Sequence, residues 1–299
     1  MCRTFEDLLA TRKNTSGKRM AVVWAAEAHV LTAVTAAYED ADIQPILIGQ
    51  SQDIRQLMDK LSIEHDFTIV AADTPEQAVK IAVDMVRAGQ ADIIFKGLLQ
   101  TAAIMRAIVN KDAGICRSGV LSHVSLLEIP GYHKLVALTD GALLTYPSLE
   151  KKAALLQNAV HMMHSIGVNE PKVAVLAAVE NVNPKMPETV DADALKTMWQ
   201  EGCFDKCIVE GPISYDLAMD PEAAATKHYE SPVAGDADIL VVPNIQAGNM
   251  LIKSLVYSAH ARCIGLVIGA QVPVVITSRS APTANKSLAI RVAAALENI

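Results

Sequence analysis

Aromatic side chains are scarce in this chain: Phe, Trp and Tyr make up 4% of its 299 residues, against 51% for hydrophobic residues of all kinds. Its core must therefore be aliphatic and alanine-rich, as is usual where helices pack on parallel strands. Cysteine is sparse too. Five thiols, an odd number in a long chain, make no disulfide framework, and Cys203 and Cys207 have no second pair to complete a metal site. No basic stripe stands out: the net charge is -7 and the isoelectric point near 5.6, which argues against nucleic acid as a partner. An acidic protein that handles anions must gather cations locally, so each Lys or Arg beside a glycine or a strand end gains weight. No apolar run is long enough to span a bilayer, although the mean hydropathy is +0.26. The most apolar window, 263–277, is broken by Gly265, Gly269, Gln271 and Pro273 and reads as two buried strands with a turn. The opening MCRTFEDLLATRK has neither a continuous apolar region nor a small-residue cleavage site, so no secretion signal is read. These absences predict a reduced, soluble, cytoplasmic protein that meets no membrane.

Familiar catalytic templates are missing as well. No GxGxxG follows the first strand and no GxSxG elbow occurs, against a dinucleotide site and a hydrolase triad. Gly114 and Gly119 are spaced as in a phosphate-binding loop, but Val120 and Leu121 stand where Lys and Ser or Thr are needed. Nucleoside triphosphate hydrolysis is excluded. His161 and His164 share a helix without a Glu at zinc-protease spacing, and read as a partly exposed pair.

What is present is alternation. Short apolar runs at 20–25, 45–49, 67–72, 92–96, 120–127, 134–139, 172–179, 207–210, 238–242, 264–268 and 272–277 read as strands. Amphipathic stretches lie between them. Over 148–166, Leu149, Ala153, Leu156, Val160, Met163 and Ile166 recur at helical spacing. Thr74-Pro75-Glu76-Gln77 joins an N-cap, a first-turn proline and a capping-box Gln, so a helix starts there. The pattern is that of βαβ units, an α/β fold with a mostly parallel sheet. The length allows one large domain or two ordinary ones, and the turn-rich TDGALLTYPSLE (139–150) marks a boundary.

Charged and hydrogen-bonding groups gather at the strand ends. In VPVVITSRSAPTANK (272–286) a strand stops at Ser278-Arg279, just before a helix over 282–296. A hydroxyl beside a guanidinium there suits a substrate whose reacting oxygen and phosphate are held together; the alternative is a capped helix with a surface Arg. In ADIIFKGLLQTAAIMR (91–106) a buried strand delivers Lys96-Gly97 to a helix beginning near Leu98 or Thr101. Glycine lets an anion reach the backbone and Lys adds a point charge. Arg106, further along, reads equally as part of a solvated face. In GICRSGVLSHVSL (114–126) Arg117 can grip an oxyanion, and Ser122 and His123 follow on a strand. His123 reads as a satisfied core histidine or as a ligand contact. In VENVNPKMPET (179–189) two prolines stiffen a loop holding Asn183 and Lys185. In 231–257 a strand ends at Pro243-Asn244, and Gly248-Asn249 lie near the start of a helix.

The segments ADIIFKGLLQT, RSGVLSHVSL, YHKLVALTDGA, VNPKMPET, VAGDADILVVPNIQAGN, KSLVY and VPVVITSR occur in this order. Together, from about residue 20 to the C-terminus, they resemble the phosphate acetyl/butyryltransferase family, its butyryl branch most closely. The resemblance implies the two-domain, three-layer α/β fold of the isocitrate/isopropylmalate dehydrogenase-like type, with the active site in the interdomain cleft. It implies a discontinuous first domain, 1–138 plus 272–299, around a second, 139–271. The implied reaction is reversible: butyryl-CoA plus phosphate gives butyryl phosphate plus CoA. Also implied are a homodimer or larger homo-oligomer, no metal, and no cofactor, coenzyme A being a substrate. On this resemblance Ser278, Arg279 and Asn285 are the catalytic candidates, and Lys96, Arg106, Arg117 and Arg279 hold phosphate. Gly97, Ser122, His123, Asn183, Lys185, Asn244, Gly248 and Asn249 are candidates for contacts with the substrate and its CoA.

The match departs at carboxylates. Acetyl-specific relatives carry a catalytic Asp where this chain has Asn285, and an amide cannot act as a base. Butyryl-type relatives commonly read SRADS where this chain has SRSAP (278–282), and PDIEAGN where it has PNIQAGN (243–249). Two other readings therefore stand beside a butyryltransferase. One is a phosphate acetyltransferase, which differs in its acyl pocket; the other is a non-catalytic protein that senses acyl-CoA or acyl phosphate. A metal-dependent decarboxylating dehydrogenase of the same fold needs an aspartate cluster that the matching loops lack.

Overall fold

Apolar runs punctuated by glycine, proline and capping residues set the element boundaries. The computed structural model describes residues 3–11, 17–277 and 281–297. Its elements begin with α1 (Phe5–Thr11), β1 (Arg19–Val23), α2 (Ala28–Ala41), β2 (Gln44–Gly49), α3 (Ser51–Lys60), β3 (Thr68–Ala71) and α4 (Pro75–Arg87). Next come β4 (Ile93–Lys96), α5 (Thr101–Ile108), β5 (Ser122–Glu128), β6 (Val136–Thr139), α6 (Leu149–Ser165), β7 (Lys172–Leu176) and α7 (Pro187–Gln200). The chain continues with β8 (Ile208–Ile213), α8 (Tyr215–Met219), α9 (Pro221–Thr226), β9 (Ile239–Val241) and α10 (Ile245–Ser258). It closes with β10 (Arg262–Ile268), β11 (Val274–Val275) and α11 (Thr283–Ala295).

Every apolar run expected to be a strand overlaps one. The run at 272–277 shrinks to two residues, since Pro273 has no N–H for a ladder; its carbonyl instead accepts from Ile94 N at 3.2 Å. At the start of α4 the hydroxyl of Thr74 accepts from Gln77 N (3.2 Å). The Gln77 side chain accepts in return from Asp73 N (2.8 Å), one residue earlier than a capping box requires.

Contacts divide the chain into two compact units. The first joins Leu8–Leu121 to Ile264–Glu297; the second joins Met1–Asp7 to Ser122–Cys263. The changeovers at 121/122 and 263/264 precede the expected boundaries at 138/139 and 271/272, and the one at 7/8 has no counterpart in the expected division. The antiparallel pairing of β5 with β6 takes β5 into the second unit, and Arg262, bound to Glu6 and Glu128, takes the start of β10 with it.

In the first unit the strand order is β3-β2-β1-β4-β11-β10, parallel throughout except for the β10/β11 hairpin. Successive strands run outward from β1 to β3, and the order then reverses to β4. At such a switch point the loops leave in opposite directions and open a crevice. In the second unit the order is β5-β6-β9-β7-β8, parallel except for β5/β6. Strand residues such as Val22, Ile94, Phe95, Val124, Leu138 and Ile239 have essentially no exposed surface. Strands covered on both faces read as unbroken apolar runs for this reason.

Candidate active site

In the first unit Val23 of β1 lies level with Lys96 of β4, and Phe95 with Val275 of β11. The carboxyl ends of three parallel strands thus share one edge. The turn after β4 folds onto the end of β1: Gly97 N donates to Val23 O (2.9 Å) and Leu98 N to Trp24 O (3.1 Å). A Cβ on Gly97 would stand 2.3 Å from Trp24 O and 2.6 Å from Val23 O, so the close approach of two backbones demands glycine. Lys96, 9% exposed, curls back over this turn and donates Nζ to Gly97 O (3.2 Å) and Leu99 O (2.9 Å).

A cavity of about 120 Å³ opens at this edge, lined by Glu27, Val30, Lys96, Gly97, Leu98, Thr277 and Lys286. Glu27 caps α2, its carboxylate accepting from His29 N (3.2 Å) and Val30 N (2.8 Å). Lys286 comes from the first turn of α11; it is 4% exposed, and its Nζ donates to Ala281 O at 3.1 Å. Two lysines and one glutamate thus line the same cavity. Neither Glu27 nor Lys286 was expected from the sequence. A lysine among the apolar residues of a buried helix was the available signal for Lys286; Glu27 had none beyond its place at a helix start. Thr277 leads into Ser278 and Arg279, which lie outside the described residues. Asn285 is half-buried in the first turn of α11, its N–H donating to Pro282 O at 3.0 Å.

The remaining arginines are placed differently. Arg106 is exposed in the last turn of α5, a helix that leaves the edge at Thr101. Arg117 is exposed, and its N–H donates to Gly269 O at 2.8 Å. Gly269 follows β10, which runs antiparallel to β11, so the Arg117 backbone lies at the amino edge of the first unit's sheet, opposite Lys96. Among the described residues, Lys96, Arg106 and Arg117 are not drawn together.

In the second unit β6, β9 and β7 run parallel and β5 runs against β6, so the start of β5 shares an edge with their carboxyl ends. Asp140 organises that edge. It is 2% exposed, and its carboxylate accepts from His123 N (2.9 Å), Ala142 N (2.8 Å) and Leu143 N (2.7 Å). A Cβ on Gly248 would lie 2.8 Å from Gly141 Cα, so the start of α10 packs backbone to backbone on the Asp140 loop. Asn249 ties the two with a bond from Nδ2 to Gly141 O (3.2 Å), and Asn244 caps α10 by accepting from Gln246 N and Ala247 N. His123, Asn244, Gly248 and Asn249 are therefore assembled around Asp140, which residue chemistry missed although its TDGA segment was in view.

His123 is not a satisfied core histidine, because its Nδ1 is buried without a partner among the described residues. Burial pushes its pKa below the usual imidazole value against the opposing pull of Asp140, which keeps the ring neutral. Ser122 is fully buried and accepts from Asn158 Nδ2 at 2.9 Å. Asn183 and Lys185 lie on an exposed loop that closes on itself: Asn183 N donates to Thr189 Oγ1 (2.8 Å) and Lys185 N to Asn183 Oδ1 (3.0 Å). His161 and His164 bond to Asp205 and to Lys206 O.

Residues 67–294 match the family described as phosphate acetyl/butaryl transferase. The chain belongs to that family. Among the family's curated members it is 41% identical to a probable phosphate butyryltransferase from Bacillus subtilis over 288 residues, 96% of either chain. It is 37% identical to a phosphate butyryltransferase from Clostridium acetobutylicum, covering 98% of both chains. A crystal structure of a branched-chain phosphotransacylase from Enterococcus faecalis superposes with a TM-score of 0.82 at 34% identity, covering 92% of this chain and 97% of that one. Among the described residues no group of three or more side chains is arranged to hold a metal ion, and no helix is long and apolar enough to cross a membrane.

Proposed function

We propose that this member of the family transfers an acyl group reversibly between coenzyme A and orthophosphate, with a four-carbon acyl chain preferred. The observation that carries this reading is the likeness, over nearly the full length, to phosphate butyryltransferases. A phosphate oxygen attacks the thioester carbonyl carbon, the C–S bond breaks, and CoA departs as the thiolate. No P–O bond breaks. The protein's task is thus to grip and partly desolvate phosphate and to stabilise charge on the carbonyl oxygen. Ser278 donates a hydrogen bond to that oxygen or to the leaving thiolate, and Arg279 and Lys96 hold phosphate. Arg106 and Arg117 take a lesser part, since their backbone positions lead away from the Lys96 edge. Asn285, an amide, orients but cannot take a proton.

The Asp140 cluster, with His123, Asn244, Gly248 and Asn249, is the proposed CoA-facing surface of the second unit, and Asn183 and Lys185 are further proposed contacts on their own exposed loop. The same reading carries a dehydrogenase-like two-domain fold, a homo-oligomer and a cytoplasmic location. The test is thiol release from acyl-CoAs, acetyl to hexanoyl, with and without phosphate. A phosphate-dependent maximum at butyryl or a branched four-carbon chain is expected. A maximum at acetyl makes the protein a phosphate acetyltransferase, and no release by folded protein makes it a sensor.

A further inference from the structure

Lys286 lies buried, in a place where charge is costly. A buried ammonium is stable only when its lost hydration is replaced by an anion or several acceptors. Among the described residues the Lys286 side chain makes one hydrogen bond, from Nζ to Ala281 O, and no carboxylate lies within ion-pair reach of it. The one carboxylate lining the cavity, Glu27, has its two oxygens engaged by backbone N–H groups of α2. The second cation of the cavity, Lys96, is nearly as buried. The two helix starts also differ: α2 has an anionic cap, whereas α11 begins at Pro282 with no side-chain cap among the described residues. A cavity of about 120 Å³ is well below the roughly 300 Å³ at which sites for drug-sized ligands begin, so it suits a small oxyanion and not a nucleotide. It lies at the switch point between β1 and β4, where open α/β sheets bind ligands.

The geometry points to Lys286 as a phosphoryl-binding residue that, with Lys96, holds orthophosphate or the phosphoryl group of the acyl phosphate in this cavity. The identity of the anion rests on the acyl-transfer reading; the need for an anion rests on the cavity alone. A phosphate of CoA offers the same chemistry, and the experiment separates the two sources.

Calorimetric titrations of inorganic phosphate and, separately, of CoA are made into the wild-type protein and into Lys286→Gln and Lys286→Met, the latter keeping the length of the buried stem. Thermal melts establish that each variant is folded. Losing one charge-assisted bond to phosphate lowers phosphate affinity about 10- to 100-fold in either variant, with CoA affinity within about twofold of wild type. Initial rates show the same split: the KM for phosphate rises and the KM for acyl-CoA does not, whereas a merely structural lysine would move both or neither. The proposal is overturned if a folded variant binds phosphate as wild type does, if CoA affinity falls in its place, or if the wild type binds no phosphate. Phosphate binding that is lost in the variants, in a protein without acyl transfer, upholds Lys286 and refutes the transferase reading.

Discussion

Gly97 is demanded by sterics, whereas Ser278 is proposed for its chemistry. At Gly97 two backbones meet so closely that even a methyl group collides with main-chain oxygens, which cannot rotate away. Gly97→Ala is therefore expected to destabilise the protein by about 1–3 kcal/mol, the usual cost of overpacking, and to disturb the turn that positions Lys96. Urea denaturation followed by circular dichroism checks this, and an unchanged midpoint would remove the steric argument. At Ser278 and Arg279 the expectation is reversed. Ser278→Ala removes an oxyanion donor and should lower turnover about 100- to 1000-fold, and Arg279→Ala should also lower it sharply, each at an unchanged melting temperature. Near wild-type rates in both variants would refute the site.

At the scale of elements, the amino ends of β6, β7 and β9 are tied by a charge cluster. Lys134, 1% exposed, lies 2.7 Å from Asp236 and 2.8 Å from Asp238, and Lys172 and His133 also reach Asp236. Burial alone would push the Asp236 carboxyl up. Hydrogen bonds from Lys134, Lys172 and His133 outweigh burial and hold it well below the usual carboxylate range. A pKa lower in the folded than in the unfolded state stabilises the fold fully above the unfolded value of 3.8, and that stability drains away as the pH falls below it. Lys134→Met strips the two carboxylates of their buried partner. It should cost about 3–5 kcal/mol at pH 7 and clearly less at pH 3, where the unfolded chain has taken up its protons. Urea titrations at both pH values measure the difference; an equal loss at both would mean the lysine acts through packing alone.

For the whole molecule the expectation is assembly. Large apolar side chains are usually covered, yet Tyr146, Met250 and Tyr257 in the second unit are 69%, 63% and 72% exposed. Light scattering should give a mass of at least twice the 32.0 kDa chain; a single 32.0 kDa species would refute the homo-oligomer. Phosphate should also raise the melting temperature, because a ligand that binds only the folded state stabilises it by mass action.

The strands, the capped start at Thr74 and the α/β class were determined by the sequence itself, because periodicity and capping depend on residues within a few positions of one another. The family resemblance was legible for the same reason: its segments are contiguous. Only the tertiary structure decided which of the marked residues meet. Pairing register put Arg117 at the edge opposite Lys96, although Gly97 adjoins the one and Gly114 and Gly119 bracket the other. Packing of α10 against a loop about a hundred residues earlier revealed Asp140 as the centre of its cluster. Lys286 became a candidate only when the folding of α11 buried it at the cavity that Lys96 also lines. Charge burial and strand order arise from contacts distant in the chain, and no local pattern encodes the cost of an ammonium that has lost its water.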